Sequence, residues 1–223
     1  MDTFITEEAK IREFVRKNLV RQDLAHDLDH IECVVRLAKH IAMAEGANLR
    51  VVVPAAWFHS PITRKAGKGG SRGERSAEKA RRLLRTLPFS KSEGEAITRA
   101  IVESSAESLA GSIRSGSPEA RVVRDADLLD SIGARGIARV FTYTGSLRIP
   151  GGIGCVEWDI DNPPRIPPPK GKQEQSAIGQ FFSHLLWVKD RLSTGTARSL
   201  AQERHAFMVE FLKRFKAECD AQA

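Results

Sequence analysis

Apolar residues recur three and four places apart along most of the chain, and that spacing limits what it can fold into. Segment 30–47, HIECVVRLAKHIAMAEGA, puts Ile31, Val34, Val35, Ala38, Ile41 and Ala42 on one helical face, with Gly46 as its stop. Residues 176–192 do the same with Ile178, Phe181, Leu185, Val188 and Leu192, and residues 196–218 with Leu200, Phe207, Phe211, Leu212 and Phe215. Thr6 before EEAKIREFVRKNL reads as a helix cap with acids in the first turn. A helix over about 74–87 is expected to stop at Pro88. Ser92 with Glu95 has capping-box spacing and opens a helix through about Leu109, and one more follows in 123–141. VVVPAAWFH, 51–59, is short and β-branched enough for a strand, but Pro54 in its middle argues against one and suits a first helical turn.

The expectation is an all-α, single-domain helical bundle over 1–223. It is interrupted by a basic loop at about 61–73 and a long Pro/Gly-rich insert at about 146–174. The insert holds six of the ten prolines, too many for helix or central strand, and reads as a structured lid or a mobile loop. Hydrophobic residues make up 41% of 223, enough for a sizeable core, which excludes whole-chain disorder. No apolar run approaches the roughly 18–20 residues that span a membrane, and the start has no secretory signal pattern. Cys33, Cys155 and Cys219 form neither a zinc ribbon nor a disulfide framework, so a cytoplasmic location is expected.

The net charge of +7 has one source. Residues 61–91 hold ten basic and two acidic residues, and the remaining chain sums to −1. A protein that coats nucleic acid spreads its cations over a face or a tail, so a nucleic-acid polymer is disfavoured as a partner. A small anionic ligand attracted to one rim fits better. The apolar C-terminal helices leave a homodimer and intramolecular packing equally open.

Four of six histidines fall in the first 59 residues. His26, Asp27 and His30 form HDLDH at the entry to a helix. His59 ends the next helix, and Asp125, Asp127 and Asp130 form DADLLD. Imidazole and carboxylate donors together suit Mn, Fe, Mg or Zn. Spacing alone leaves the alternative open that the histidines cap helices or face solvent and that the aspartates are caps. GKGGSRG lacks the residue order of a P-loop.

These residues resemble the HD-domain superfamily of metal-dependent phosphohydrolases, in particular its small bacterial nucleotide-hydrolase-like branch. The resemblance rests on HDLDHIECVVRLAKHIA, AAWFHS, RSAEKARRLL, VVRDADLLDSIGARGIARVF and GTARSLAQERHAFMVEFLKRFKAE, in the expected order over nearly the whole chain. It implies a helical bundle that holds a divalent metal with His30, His59 and Asp127. It implies catalytic or water-orienting roles for His26, Asp27 and Asp125, and a supporting role for Asp130. Substrate contacts would come from Arg64, Lys65, Arg75, Ser104, Gln180 and His184. The reaction implied is hydrolysis of a small phosphorylated metabolite or nucleotide by metal-activated water.

The chain departs from the family pattern where His-Asp is expected, because Ser60 follows His59. Ser104 and Gln180 stand nearest two further family histidines, and His184 lies one turn beyond Gln180. A serine hydroxyl is neutral and binds a divalent ion weakly. The expectation is therefore a site made degenerate by His-Ser, with an altered metal or none. Two readings follow: a phosphohydrolase with a changed metal site, or a repurposed relative that binds a small anionic ligand or a protein partner without hydrolysis.

Overall fold

A computed structural model describes residues 2–19, 23–59, 71–105, 116–164 and 176–222, with nine α-helices among them. These are α1 (Asp2–Asn18), α2 (Leu28–Glu45), α3 (Leu49–Trp57), α4 (Arg72–Leu84), α5 (Lys91–Ser104), α6 (Pro118–Asp130), α7 (Gly133–Ser146), α8 (Ala177–Ser183) and α9 (Gly195–Cys219). No strand occurs among the described residues, as the helical spacing predicts. Contacts gather into two compact units. The first takes in 1–22, 26–127 and 193–196; the second takes in 23–25, 128–192 and 197–223.

The first unit packs α1, α2, α3 and α5 around Ile11, Ile31, Ile41, Val52, Phe58, Ile97 and Ile101, all fully or nearly fully buried. α2 runs as expected. Asp27 caps its start by accepting from the His30 N–H (3.0 Å), and Gly46 ends it in the left-handed conformation (φ 68°). Pro54 sits inside α3, where every residue from Val51 to Trp57 is buried. Trp57 and Phe58 belong to the core, and the Trp57 indole N–H donates to Glu8 (3.2 Å).

Caps move several expected boundaries. α4 starts at Arg72 because Ser71 and Glu74 form a capping box, so the end of the expected basic loop is helical. The helix ends at Leu84, four residues short of Pro88, in a run of turns closed by Thr86 and Leu87 N–H bonds to Leu83 and Leu84. α5 is boxed by Ser90 and Glu93 rather than by Ser92 and Glu95, and its described part ends at Ser104. α1 begins upstream of Thr6, which lies within the helix.

The second unit departs further from the sequence pattern. The single helix expected over 123–141 breaks at Ser131–Ile132, where Gly133 takes φ +76° and Gly136 lies close against the Ser131 carbonyl. The amphipathic stretch 176–192 divides into α8 and a 3₁₀ helix, Leu185–Arg191. α9 keeps its expected span, but its buried positions are Ala197, Ala201, Met208 and Leu212, and Phe207 is exposed. The expected Pro/Gly-rich insert is not set apart from the fold. Ile149, Val156 and Ile160 are buried, so the described part of this stretch is anchored by its apolar residues. Residues 165–175 lie outside the described residues. No helix among the described residues is long and apolar enough to cross a membrane.

Candidate metal centre

Three elements of the first unit bring three side chains together. His30 is in the first turn of α2, His59 follows the C-cap of α3, and Asp127 is on α6. His30 and His59 point their Nε2 atoms at each other across 3.2 Å. Asp127 Oδ1 lies 3.5 Å from the first and 3.6 Å from the second. The imidazoles are buried, with side chains 3% and 6% exposed, whereas the Asp127 side chain is 48% exposed. Two buried imidazoles therefore form the floor and one carboxylate the open edge.

The tautomer of His59 follows from its partner. Its Nδ1 is 2.6 Å from the Ala56 carbonyl, which can only accept, so Nδ1 carries the proton and donates. In the neutral ring, Nε2 then presents a lone pair toward His30. Metal-ligating histidines are oriented in this way by a backbone carbonyl on the other nitrogen. Two imidazole lone pairs facing at 3.2 Å repel unless a proton or a cation lies between them. The three separations bound a triangle whose centre is about 2 Å from each donor, the length of a Zn–N or Zn–O bond. Among the described residues this is the group of His, Cys, Asp and Glu able to hold a metal ion. Its donor set fits a hard or borderline divalent cation.

The expectation of a site made degenerate by His-Ser is corrected on this geometry. His30, His59 and Asp127 assemble a complete three-donor set, and no serine occupies the place of any of them. Ser60 lies outside the described residues, as do Arg64 and Lys65.

The other expected site residues are placed as follows. His26 is exposed, its ring edge-on to His30 with centroids 5.6 Å apart. Asp27 is the N-cap of α2. Asp125, expected to act on water, is fully buried and receives the Ser193 N–H (3.0 Å), the Thr194 N–H (2.7 Å) and the Thr194 hydroxyl (2.8 Å). Burial pushes its carboxyl above the ordinary value, against the pull of those donors. Asp125 thus anchors the 193–194 segment to α6, and Glu45 holds the next residues by accepting from the Thr196 N–H and hydroxyl (both 2.7 Å).

Arg75 is half-buried on α4. Ser104 is buried and donates to the Ile101 carbonyl (3.2 Å). In the second unit, Gln180 donates to the Thr144 hydroxyl (3.1 Å), and His184 caps α8 beside Arg191 (3.4 Å). Asp130, expected as a support, is fully buried between Arg135 (2.8 Å) and Arg139 (3.1 Å).

Sequence reasoning missed the Ala56 carbonyl, which no side-chain pattern reveals. It also missed the Ser193–Thr194 anchor, for which the Ser-Thr-Gly-Thr run at the start of α9 was the available signal.

No family model matches the chain. The uncharacterised protein YpgQ of Bacillus subtilis is 31% identical over 210 residues, covering 94% of this chain and 92% of its own length. The crystal structure of YpgQ in complex with ADP aligns with a TM-score of 0.71 at 30% identity, over 97% of this chain and 96% of that one. A Lactobacillus plantarum protein structure aligns with a TM-score of 0.72 at 32% identity, over 97% and 98%. A structure named an HD-superfamily hydrolase, from Bacillus thuringiensis, aligns with a TM-score of 0.69 at 28% identity, over 97% and 98%. With its helical fold and its His/His/Asp set, the chain belongs to the family of Bacillus subtilis YpgQ and has an HD-superfamily-like fold.

Proposed function

We propose that the chain is a metal-dependent phosphohydrolase acting on a small phosphorylated metabolite or nucleotide in the cytoplasm. The observation that carries this reading is the His30/His59/Asp127 set, two buried imidazoles and a half-exposed carboxylate converging within bonding distance of one point. The ADP held by the YpgQ structure supports a nucleotide as the ligand class.

His30, His59 and Asp127 would hold a divalent ion of the Mn, Fe, Mg or Zn group. When bound, it supplies Lewis-acid polarisation of a phosphoryl oxygen and a lowered pKa for water. The Ala56 carbonyl keeps the His59 lone pair on the donor side. His26, exposed beside His30, would accept a proton from water. Asp27 orients His30 through the cap it makes at the start of α2. Arg75, with Arg64 and Lys65, would neutralise phosphate charge.

The test is metal analysis of protein purified without chelator, followed by phosphate release from nucleoside phosphates and sugar phosphates with Mn or Mg. About one metal per chain and metal-dependent release are expected, both lost in His59→Ala. Release that persists in His59→Ala, or parent protein with neither metal nor turnover across the panel, would remove the reading.

A further inference from the structure

In the first unit, α4 and α5 pack antiparallel, with Gly73 at the start of α4 against Ser105 and Val102 at the end of α5. Residues of both helices and of their connection line a groove of about 750 Å³, and none of His30, His59 and Asp127 lines it. The volume falls within the roughly 300–1,000 Å³ of small-molecule sites.

Its floor is apolar, formed by Leu84 from the last turn of α4, Phe89 from the connection and Val102 from α5. Phe89 is held in place by the Arg50 guanidinium, 5.1 Å from its ring centroid. The Thr98 hydroxyl is spent on the Gly94 and Glu95 carbonyls (2.9 and 3.0 Å), so it adds no free polar group to the lining. At Gly94 an added Cβ would meet nothing within 4 Å, which marks open space beside α5.

The rim is cationic. Arg85, Lys91 and Arg99 are exposed, and among the described residues their side chains have no ion-pair or hydrogen-bond partner. Arg81 also lines the groove but is paired with Glu78. The lining also holds two carboxylates, Glu95 and Glu103, the latter accepting the Ser117 N–H (2.8 Å), so the cations Arg85, Lys91 and Arg99 outnumber the acids. Three like charges around an apolar floor repel one another and attract an anion that brings apolar surface with it.

We infer that the α4/α5 groove is a second ligand site, distinct from the triad, for a nucleoside phosphate. The base lies on Leu84, Phe89 and Val102, and the phosphates lie among Arg85, Lys91 and Arg99. Such a ligand matches both features of the groove, a flat apolar part and a charge that guanidinium groups bind by charge-assisted hydrogen bonds.

Calorimetric binding of ADP to the full chain in EDTA tests this, because the chelator removes metal-dependent binding at the triad. ADP is expected to bind, and to bind His59→Ala within about twofold of the parent. The exposed double variant Arg85→Glu/Arg99→Glu should lose about tenfold or more in affinity. Gly94→Trp should block the groove with helicity unchanged by circular dichroism, and should Gly94→Trp misfold, the double variant decides alone. Adenosine and pyrophosphate, tested separately, should each bind at least about tenfold more weakly than ADP, because each fills only one part of the site. Absence of ADP binding in EDTA, or binding unchanged in the double variant, overturns the site. Loss of turnover with ADP binding intact would count against the phosphohydrolase reading and leave this site standing.

Discussion

The Nε2 atoms of His30 and His59 face each other at 3.2 Å across 29 residues of sequence. With His59 Nδ1–H committed to the Ala56 carbonyl, the Nε2 lone pair of the neutral His59 ring faces the site. Asp127 closes the set from α6 and supplies its one formal negative charge.

Removing one donor should therefore cost most of the metal affinity. His30→Ala and Asp127→Asn are each expected to weaken divalent-ion binding by about a hundredfold or more, since even partners one shell out are worth about 10–100-fold. Titration with Mn or Zn against a competing chelator reads this directly. The half-exposed Asp127→Asn should leave the melting temperature of the metal-free chain nearly unchanged.

Asp125→Asn should destabilise the fold by about 2–3 kcal/mol. The carboxylate accepts from two backbone N–H groups and a hydroxyl, whereas an amide offers one acceptor oxygen and turns its NH₂ toward donors. Urea unfolding at pH 7 measures the loss, and hydrogen exchange should quicken at the Ser193 and Thr194 amides. A stability change below about 0.5 kcal/mol would show that those bonds do not hold the segment.

The Arg50–Glu93 pair should make part of the stability depend on pH. The Arg50 guanidinium (2.6 Å), helped by the Ser90 N–H (2.7 Å), holds the Glu93 carboxyl down from 4.5 to about 2. A depressed carboxyl stabilises the folded chain above its unfolded value and loses that contribution as pH falls through the folded one. The pair thus helps above pH 4.5 and fades toward about pH 2. Both groups are partly exposed, so screening limits the effect to about 1 kcal/mol. Denaturant melts at pH 7 and pH 3 should show a smaller drop for Glu93→Gln than for the parent.

Gly136→Ala should cost about 3 kcal/mol or more. A Cβ there would stand 2.2 Å from the Ser131 carbonyl oxygen, a backbone atom that cannot rotate away. Gly145→Ala, on the same helix with nothing within 4 Å of the added methyl, should be neutral to slightly stabilising. Thermal melts of the pair separate steric cost from helix propensity.

Helix existence was readable along the chain because burial on one face imposes a period on sequence. The faces of α2 and the span of α9 follow from it. Boundaries were less readable, since competing polar residues can each cap. Ser90 rather than Ser92 starts α5, and which of them folds back depends on the chain that precedes it. The break at Ser131–Ile132 was hidden because residues on both sides keep an apolar period while Gly133 and Gly136 permit a tight corner.

Residue types and their order carried the all-α class, the family resemblance and the set His30, His59 and Asp127 from which a site could be built. They could not say that these three meet, because donors on α2, just after α3 and on α6 converge only through packing between distant segments. Nor could they say that Asp125 spends its oxygens on Ser193 and Thr194. Periodicity is a local property written into the chain, whereas donor geometry and hydrogen-bond commitment are relations between distant parts. The tertiary structure decided those.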